Sequence, residues 1–436
     1  MNASYFAEYV KKWFKILTNT ITERLNDSKR PVAYLFKTML KPTLSADGKW
    51  DSLSVSKSIV AADIVDIDSP VPIKKRDAIS RAGGEIPMIG MGMKKNAKLI
   101  QRIKYLANSG ATELQVCQMI FDDLTRVISG MYERVEMMFL QGLSTGIVLA
   151  KDDSNVGVGI RINFGYKESN TYGATIKWGC TGYTPISDIE RVLTKASENS
   201  DVITTIALDK VAYNQVRRSE EAKSLYAASI GNYTGNNQII PTPSQFDEII
   251  SDEYKVKFLI IDRVVRVEKN GKQTNVRPFA ENTLVFLTTE QVGSLVYSLL
   301  AEQDAEYRVK NVDYQIVDNF ILISKYSETN PLQEFTNGQA IVLPVIENVD
   351  SIYILNTQEG QEVDNAEVEG DSTITIYGET YVKTEVINAL KEAGFRIAYN
   401  ISDGKLIDKI NELSNEDEAK VKAAIEKLTP YTPPQT

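Results

Sequence analysis

The clearest pattern in the chain is a long run of apolar residues that recur every three or four positions between Thr112 and about Leu143. This spacing follows the 3.6-residue period of an α-helix and predicts one long helix with a wide apolar stripe. The residues of the stripe are Leu114, Cys117, Phe121, Leu124, Ile128, Met131, Val135 and Met138. Thr112 and Gln115 fit a capping box at its start, and Gly142 and Gly146 mark its end. We expect this helix to lie along a sheet, with another backbone close to Gly130.

The rest of the chain shows short apolar runs that predict a mixture of strands and helices. Residues 159–166 alternate, and with residues 174–178 after a turn they predict a hairpin. The Asn270-Gly271 pair predicts a second hairpin turn. The other predicted elements are the helices Ile186–Ala196 and Asp209–Arg218, the buried strand Val256–Ile261, and the strands Val202–Leu208, Leu284–Leu287, Phe320–Ser324, Ile341–Leu343 and Ser351–Leu355. Together they indicate the α+β class.

The first 62 residues predict a basic amphipathic helix, up to about Leu25, followed by an extended arm in which prolines break regular structure. We single out four residues of this helix as candidate contacts to a partner, namely Lys11, Lys12, Trp13 and Lys15. Residues 63–98 carry short alternating runs and predict a two-stranded excursion from the fold. Long loops of this kind often wrap a partner.

The excursion carries the strongest basic cluster of the chain, formed by Lys74, Lys75, Arg76 and Arg81. Residues 1–104 hold 19 basic and 10 acidic side chains, a net charge of +9, whereas residues 350–436 have a net charge of −9. Two interpretations stay open. The charges are solvated faces of separate domains, or the basic quarter meets a polyanion or an acidic neighbouring subunit, which we prefer for the cluster.

The end of the chain predicts a separate piece. Residues 359–371 form an acidic linker, and residues 372–436 predict a small α/β domain with a proline-rich tail. Within it we expect a strand at Thr373–Tyr377, a helix at Thr384–Glu392, a strand at Arg396–Ile401 and helices at Lys405–Leu413 and Asn415–Leu428. Its acidic character would suit the outside of an assembly.

Composition argues against the common kinds of enzyme. The chain has no histidine, which removes the usual general base and the commonest metal ligand together. We therefore expect no catalytic residue, no metal and no cofactor. We expect Cys117 and Cys180 to be small buried hydrophobes in a reducing compartment, and the pairs Asp122/Asp123 and Glu133/Glu136 to lie on a polar helix face. No apolar stretch is long enough to span a bilayer, so we expect no membrane and synthesis in the cytoplasm.

The order of several short segments resembles the tailed-phage major capsid protein family typified by the lambda head protein. The segments are Glu85-Ile-Pro-Met-Ile-Gly, the long helix with Arg134-Val-Glu136, Gln141, Leu143 and Thr145-Gly146, the strand Ile160–Gly165, Gly338-Gln-Ala-Ile-Val-Leu-Pro344, and Asp350-Ser-Ile-Tyr-Ile-Leu-Asn-Thr357. The resemblance covers roughly residues 31–357. Its motifs gain their specificity from their order.

The resemblance implies a Hong Kong 97-like shell fold and a virion subunit that forms hexamers and pentamers around double-stranded DNA. The implied parts are an N-terminal arm (1–62), an extended loop (63–98), a peripheral domain (99–184) with a spine helix (112–143), an axial domain (185–330), return strands (331–358), an acidic linker (359–371) and the added domain (372–436). Partners would be neighbouring capsomers, a portal, scaffold or cement proteins and, non-specifically, the packaged DNA. Arg134 and Glu136 join the candidate inter-subunit contacts.

Three further expectations stay open. Some members of the family join a loop lysine to an asparagine of the next subunit, and Lys74 or Lys75 with Asn356 would be the candidates here, although lambda-like relatives do not crosslink. One alternative function is an encapsulin-like nanocompartment shell that encloses protein cargo. The other is an α/β enzyme or binding module, which would need a discrete pocket.

Overall fold

The fold is taken from a computed structural model of the chain. It describes residues 1–26, 34–55, 79–151, 159–230, 239–269, 272–361 and, further on, 373–377, 379–382, 386–387, 389–390, 421–422 and 425. The chain divides into two compact units, Met1–Gln361 and Glu362–Thr436.

Helices and strands alternate irregularly along the described part of the first unit. In chain order they are α1 (Ala7–Asn26), α2 (Leu35–Met39), β1 (Leu40–Leu44), β2 (Lys49–Val55), β3 (Ile79–Glu85), β4 (Met88–Asn96), α3 (Ala97–Asn108), α4 (Glu113–Thr145), β5 (Ile147–Lys151), β6 (Gly159–Asn163), β7 (Thr171–Ala174), α5 (Pro185–Glu198), β8 (Thr205–Asp209), α6 (Lys210–Arg218), α7 (Glu220–Ser229), α8 (Pro243–Tyr254), β9 (Lys257–Ile261), β10 (Val265–Lys269), β11 (Lys272–Val276), β12 (Thr283–Leu287), β13 (Gly293–Ser298), β14 (Asp313–Val317), β15 (Ile321–Thr329), β16 (Leu332–Ile346) and β17 (Tyr353–Gly360).

The first sheet has the strand order β1-β13-β16-β15-β14, and β4 also pairs with β16. Helix α4 lies on this sheet against β16 and β4. It begins at the predicted capping box between Thr112 and Gln115 and ends at Gly146 in the left-handed conformation, whereas Gly142, also predicted to mark the end, lies inside the helix. Its 33 residues span on the order of 50 Å. Most of the predicted stripe is buried, but Leu114 is 68% exposed.

The second sheet has the order β7-β17-β12-β8-β9, and α5, α6, α7 and α8 pack around it. Its central strands β8 and β12 are buried along their whole length because helices cover them. The predicted elements of this region are present with small shifts in their ends. Strand β9 corrects one expectation, because it lies at the sheet edge and Ile260 is 41% exposed rather than buried.

Two predictions about neighbouring segments are wrong. Strand β6 forms its hairpin with β5, while β7 pairs in parallel with β17. The atoms nearest to a Cβ added at Gly130 belong to the side chain of Met91 and not to a backbone. Pairing between distant segments depends on which surfaces they share, and local alternation carries no information about that.

The strand pairings also differ from the expected part limits. The excursion is the hairpin of β2 with β3, from Lys49 paired with Glu85 to Val55 paired with Ile79, and it starts earlier than residue 63. Residues 88–96 belong to the first sheet as β4. The expected limit at residue 330 falls in the turn between β15 and β16, which pair with each other. Residues 56–78 and the turn at Asn270-Gly271 lie outside the described residues.

The second unit contains a hairpin of β18 (Thr373–Ile376) and β19 (Glu379–Val382), and helical residues at 386–387, 389–390, 421–422 and 425. Strand β18 falls on the predicted strand at Thr373–Tyr377, and β19 was not predicted. The buried side chains among the described residues of the second unit are Ile376, Tyr381, Val386, Ile387, Leu390, Val421 and Ile425. The predicted elements at 396–401 and 405–413 lie outside the described residues.

Candidate assembly interface

The four predicted contact residues of α1 divide into two groups. Lys12 and Trp13 contact α4 of the same chain: Lys12 Nζ lies 2.7 Å from Glu113 Oε1, and the indole Nε1 of Trp13 donates to the same oxygen at 2.8 Å. The hydrogen bond from Lys12 lowers the pKa of Glu113. Lys11 and Lys15 are exposed. Of the four predicted contacts on this helix, these two are therefore the more available to a partner.

A buried charged pair lies beneath the first residues of the chain. Lys325 on β15 and Glu334 on β16 are each 1% exposed, and Lys325 Nζ lies 3.3 Å from Glu334 Oε1. Glu334 also accepts the hydroxyl of Ser4 and, at 3.1 Å, the backbone N–H of Tyr5. Burial lowers the pKa of Lys325, and the charge of Glu334 opposes this shift. Removing one partner of such a pair leaves the other as an uncompensated buried charge.

A second buried ion pair corrects the expectation for Asp123. This side chain is 7% exposed and pairs with Lys95 of β4, which is 3% exposed. Its neighbour Asp122 does lie on the polar face, where it forms an exposed ion pair with Arg126 at 3.1 Å. The two adjacent carboxylates therefore have different roles, because α4 turns one of them toward the sheet.

Glu136 is the largest correction among the predicted contact residues. Its side chain is 1% exposed and accepts the backbone N–H groups of Leu35 and Phe36, each at 3.0 Å. Burial raises its pKa, and these two hydrogen bonds oppose the shift. Glu136 thus anchors α2 to α4 inside the subunit and is unavailable to a neighbour. Arg134, two residues away, is half-buried.

The chain before α2 is held by further polar and aromatic contacts. Tyr34 donates to Glu133 Oε1 at 3.1 Å, and Arg263 donates to the same oxygen at 2.5 Å. The guanidinium of Arg263 also lies over the ring of Tyr34, 5.0 Å from its centroid. Because Arg263 belongs to the loop between β9 and β10, this cluster joins the second-sheet region to α4 and to the arm.

A similar cluster holds the end of α2. Lys37 Nζ lies 2.6 Å from Asp318 Oδ2 and 3.9 Å from the ring centroid of Tyr132. The hydroxyl of Tyr132, a fully buried residue of α4, donates to the same oxygen of Asp318. These contacts fix residues 34–39 on the long helix. Sequence reasoning missed them, because each links residues about a hundred or more positions apart.

The excursion is anchored at its base by an aromatic contact. Trp50 of β2 is 4% exposed and meets Phe164 edge-on, with ring centroids 5.6 Å apart. Arg81 lies in β3, where its backbone pairs with Leu53. Lys74, Lys75 and Arg76 lie outside the described residues. The structure thus places the base of the β2–β3 hairpin, and the position of the predicted basic cluster stays a prediction.

Three remaining sequence expectations concern chemistry. Cys117 is buried, and burial raises its pKa, whereas Cys180 is exposed, contrary to expectation. Asn356 is half-buried and its Oδ1 accepts the backbone N–H of Gln358 at 3.0 Å. Within the described residues, no group of three or more histidine, cysteine or acidic side chains is placed to hold a metal ion. None of the described helices is both long enough and apolar enough to cross a bilayer.

The described contacts hold α1 and α2 against α4 and fix the base of the β2–β3 hairpin. A family model for phage major capsid protein E matches residues 18–357, about three quarters of the sequence. The chain therefore belongs to the phage major capsid protein E family. This confirms the resemblance, and with it the expected α+β, Hong Kong 97-like fold class.

Solved structures show weaker likenesses. A prophage protein of E. coli CFT073 assigned as a capsid protein is 14% identical, with 78% of this chain and 98% of that chain covered and a TM-score of 0.47. The cyanophage A-1(L) capsid is 10% identical, with 77% of this chain and 95% of that chain covered and a TM-score of 0.43. The SrpI encapsulin of Synechococcus elongatus PCC 7942 is 11% identical, with 78% of this chain and 96% of that chain covered and a TM-score of 0.35. These values are low, and the assignment comes from the family match. None of the curated proteins compared with the chain matches it.

Proposed function

We propose that the protein is the major subunit of a tailed-phage head, which self-assembles into hexamers and pentamers of a closed icosahedral shell around a double-stranded DNA genome. The family match over residues 18–357 is the observation that supports this role most strongly. The role is structural and needs no catalytic residue and no cofactor. The subunit is assembled in the host cytoplasm and resides in the virion, where it meets a portal and scaffold or cement proteins.

The two sheets suggest which parts of the subunit form the expected peripheral and axial domains. We assign the first sheet with α4 to the peripheral domain, and the region around the second sheet, which shares residues 185–287 with the expected axial domain, to the capsomer centre. Arg263 and Glu133 link the two regions with a short ion pair. A rigid link of this kind would let ring contacts at one end constrain the orientation of the other.

Contacts between subunits are assigned to the basic excursion and to the exposed basic side of α1. The candidates are Lys74, Lys75, Arg76 and Arg81 on the excursion and Lys11 and Lys15 on α1. Their partner would be an acidic surface of a neighbouring subunit, and the strongly acidic residues 350–436 offer one. Complementary charge mainly sets the orientation and rate of association. Assembly should therefore be faster at low salt.

A matched pair of charge reversals tests this assignment. Lys75→Glu and Lys310→Glu change the net charge equally, and Lys310 is an exposed residue outside the proposed contacts. We expect Lys75→Glu to slow or prevent shell formation, because it places like charges opposite each other, while Lys310→Glu assembles normally. Light scattering and electron microscopy measure both. Equal assembly of the two variants would contradict the assignment of the excursion.

The contents of purified shells separate the proposed head protein from the nanocompartment alternative. Shells that carry nucleic acid, measured by ultraviolet absorbance after nuclease treatment, agree with the proposal. Shells from infected cells that hold only protein cargo would instead support the nanocompartment function.

A further inference from the structure

The first residues of the chain complete an unfinished sheet edge. Strand β14 pairs with β15 only as far as Lys325. Beyond that point Asn2 takes the place of β14: its backbone N–H donates to Ser327 O, and Ser327 N–H donates to Asn2 O, both at 2.9 Å. The hydroxyl of Ser327 also donates to Ala3 O at 2.6 Å. The chain therefore supplies its own short strand to this edge.

Side chains hold this short strand in place from below and from the side. The buried carboxylate of Glu334 accepts both the hydroxyl of Ser4 and the backbone N–H of Tyr5. The phenol of Tyr5 donates to Glu328 O at 2.8 Å. Ser4 is 5% exposed and Ser327 is fully buried. The arrangement covers polar groups that would otherwise be open at the end of β15.

Another outer strand of the same sheet, β1, is protected differently. Strand β1 carries Lys41 and Pro42, both exposed, and these two residue types discourage further strand pairing. The last four residues of β15, Tyr326 to Thr329, include neither lysine nor proline. An open edge without such residues is a template for pairing with another chain. In this subunit the N-terminal strand occupies that position.

We propose that residues 2–5 are an internal strand cap that competes with a second copy of this chain for the outer edge of β15 while the subunit is unassembled. The cap keeps the edge from pairing irregularly before the shell contacts form. The benefit to assembly rests on the proposed function, but the cap itself is a property of the single subunit and is tested there.

Two substitutions at one position test the cap with little effect on the core. The bridge uses only the backbone of Asn2, whose side chain is exposed. Asn2→Pro removes the N–H that donates to Ser327, whereas Asn2→Ala keeps it and serves as the control. Adding Ser4→Ala to the proline variant removes the hydroxyl bond to Glu334 as well. Tryptophan fluorescence during urea unfolding checks that every variant remains folded.

Hydrogen exchange and sedimentation of unassembled subunits measure the result. We expect exchange at the Ser327 amide to rise about three- to tenfold in Asn2→Pro, and further in the double variant, because a net hydrogen bond is lost at each step. The double variant should form irregular oligomers at concentrations where Asn2→Ala stays monomeric. A peptide of residues 1–6 should suppress this association, and a scrambled peptide should not.

Unchanged exchange at Ser327 in the double variant would overturn the cap. Faster exchange without new association, or association that the peptide does not suppress, would overturn its competition with a second copy. Failure of the wild-type protein to form shells would count against the proposed function and leave these measurements unaffected.

Discussion

Helix α4 packs closely on strand β16 at Gly338, which makes this glycine a sharp test of the described packing. An added Cβ would lie 2.6 Å from Cγ1 of Val127, 3.2 Å from Cδ1 of Ile323 and 3.4 Å from Cγ of Met131. Overpacking of this kind costs about 1–3 kcal/mol. Replacing glycine by alanine returns about 0.4–1 kcal/mol by restricting the unfolded chain. We therefore expect Gly338→Ala to lower the free energy of unfolding by about 1–2 kcal/mol.

A double-mutant cycle with Val127→Ala identifies the cause. Val127 is fully buried, and its truncation alone should cost about 2 kcal/mol through lost burial and a small cavity. In that background the new methyl group at position 338 fills the vacated space, so we expect Gly338→Ala to cost nothing further. The coupling free energy should be about 1–2 kcal/mol.

Tryptophan fluorescence during urea unfolding reports on the first unit and not on the second, because the three tryptophans of the chain, Trp13, Trp50 and Trp178, all lie in the first unit. The control is Gly360→Ala, since nothing lies within 4 Å of a Cβ added at Gly360. That variant should change stability by no more than about 0.5–1 kcal/mol. A Gly338→Ala cost that matches the control, or that is unchanged by Val127→Ala, would refute the close helix–sheet contact.

Three further predictions concern the anchored arm and the assembled particle. Burial raises the pKa of Glu136 above 4.5, so the contribution of this group to stability is complete below that pH and is lost as pH rises through the raised pKa. Between pH about 4 and 8, the urea midpoint of Glu136→Gln should therefore fall less with rising pH than the midpoint of the wild type. An equal pH dependence in the two proteins would contradict this prediction. Tyr132→Phe removes a hydrogen bond to the Asp318 carboxylate and should cost about 1.5–3 kcal/mol in the same assay. Particles boiled in detergent should give a monomer band, and a ladder would show that subunits are joined covalently.

Local sequence patterns predicted the long helix well because its determinants are local. The capping box at Thr112, the left-handed residue Gly146 and the apolar period all act within a few turns. Burial of Glu136 was not predicted, since it depends on backbone groups about a hundred residues earlier in the chain. The sequence did carry a signal for this burial, because the large hydrophobic residues Tyr132 and Leu140 lie four residues on either side and so share a helix face with Glu136. The structure buries both of them fully.

Strand pairing shows the same division between local and distant information. The alternation of residues 159–163 identified β6 as a strand, but it could not identify β5 as its partner. Strand β16 was recognised only at Ile341–Leu343, although it extends over Leu332–Ile346. Its first half holds polar residues such as Glu334 and Thr336, which are buried through pairing with Lys325 and with β4. Polar residues that are buried in pairs do not produce an apolar pattern.

The predicted interface residues differ in their contacts within the subunit, and their role between subunits stays a prediction. Lys11 and Lys15 are exposed, and Lys12 is exposed but paired with Glu113 of its own chain. Glu136 is buried and Trp13 is half-buried, and both form hydrogen bonds inside the subunit. A charged residue in sequence gives no indication of whether its partner belongs to the same chain or to a neighbour. Only the folded subunit separates these two possibilities.

Electron microscopy of the purified full-length protein tests the central proposal most directly. We expect closed polyhedral shells with six-fold and five-fold capsomers, because the chain belongs to a family of phage major capsid proteins. Particles that stay monomeric over a wide range of protein concentration and salt, with no shells or rings, would contradict it.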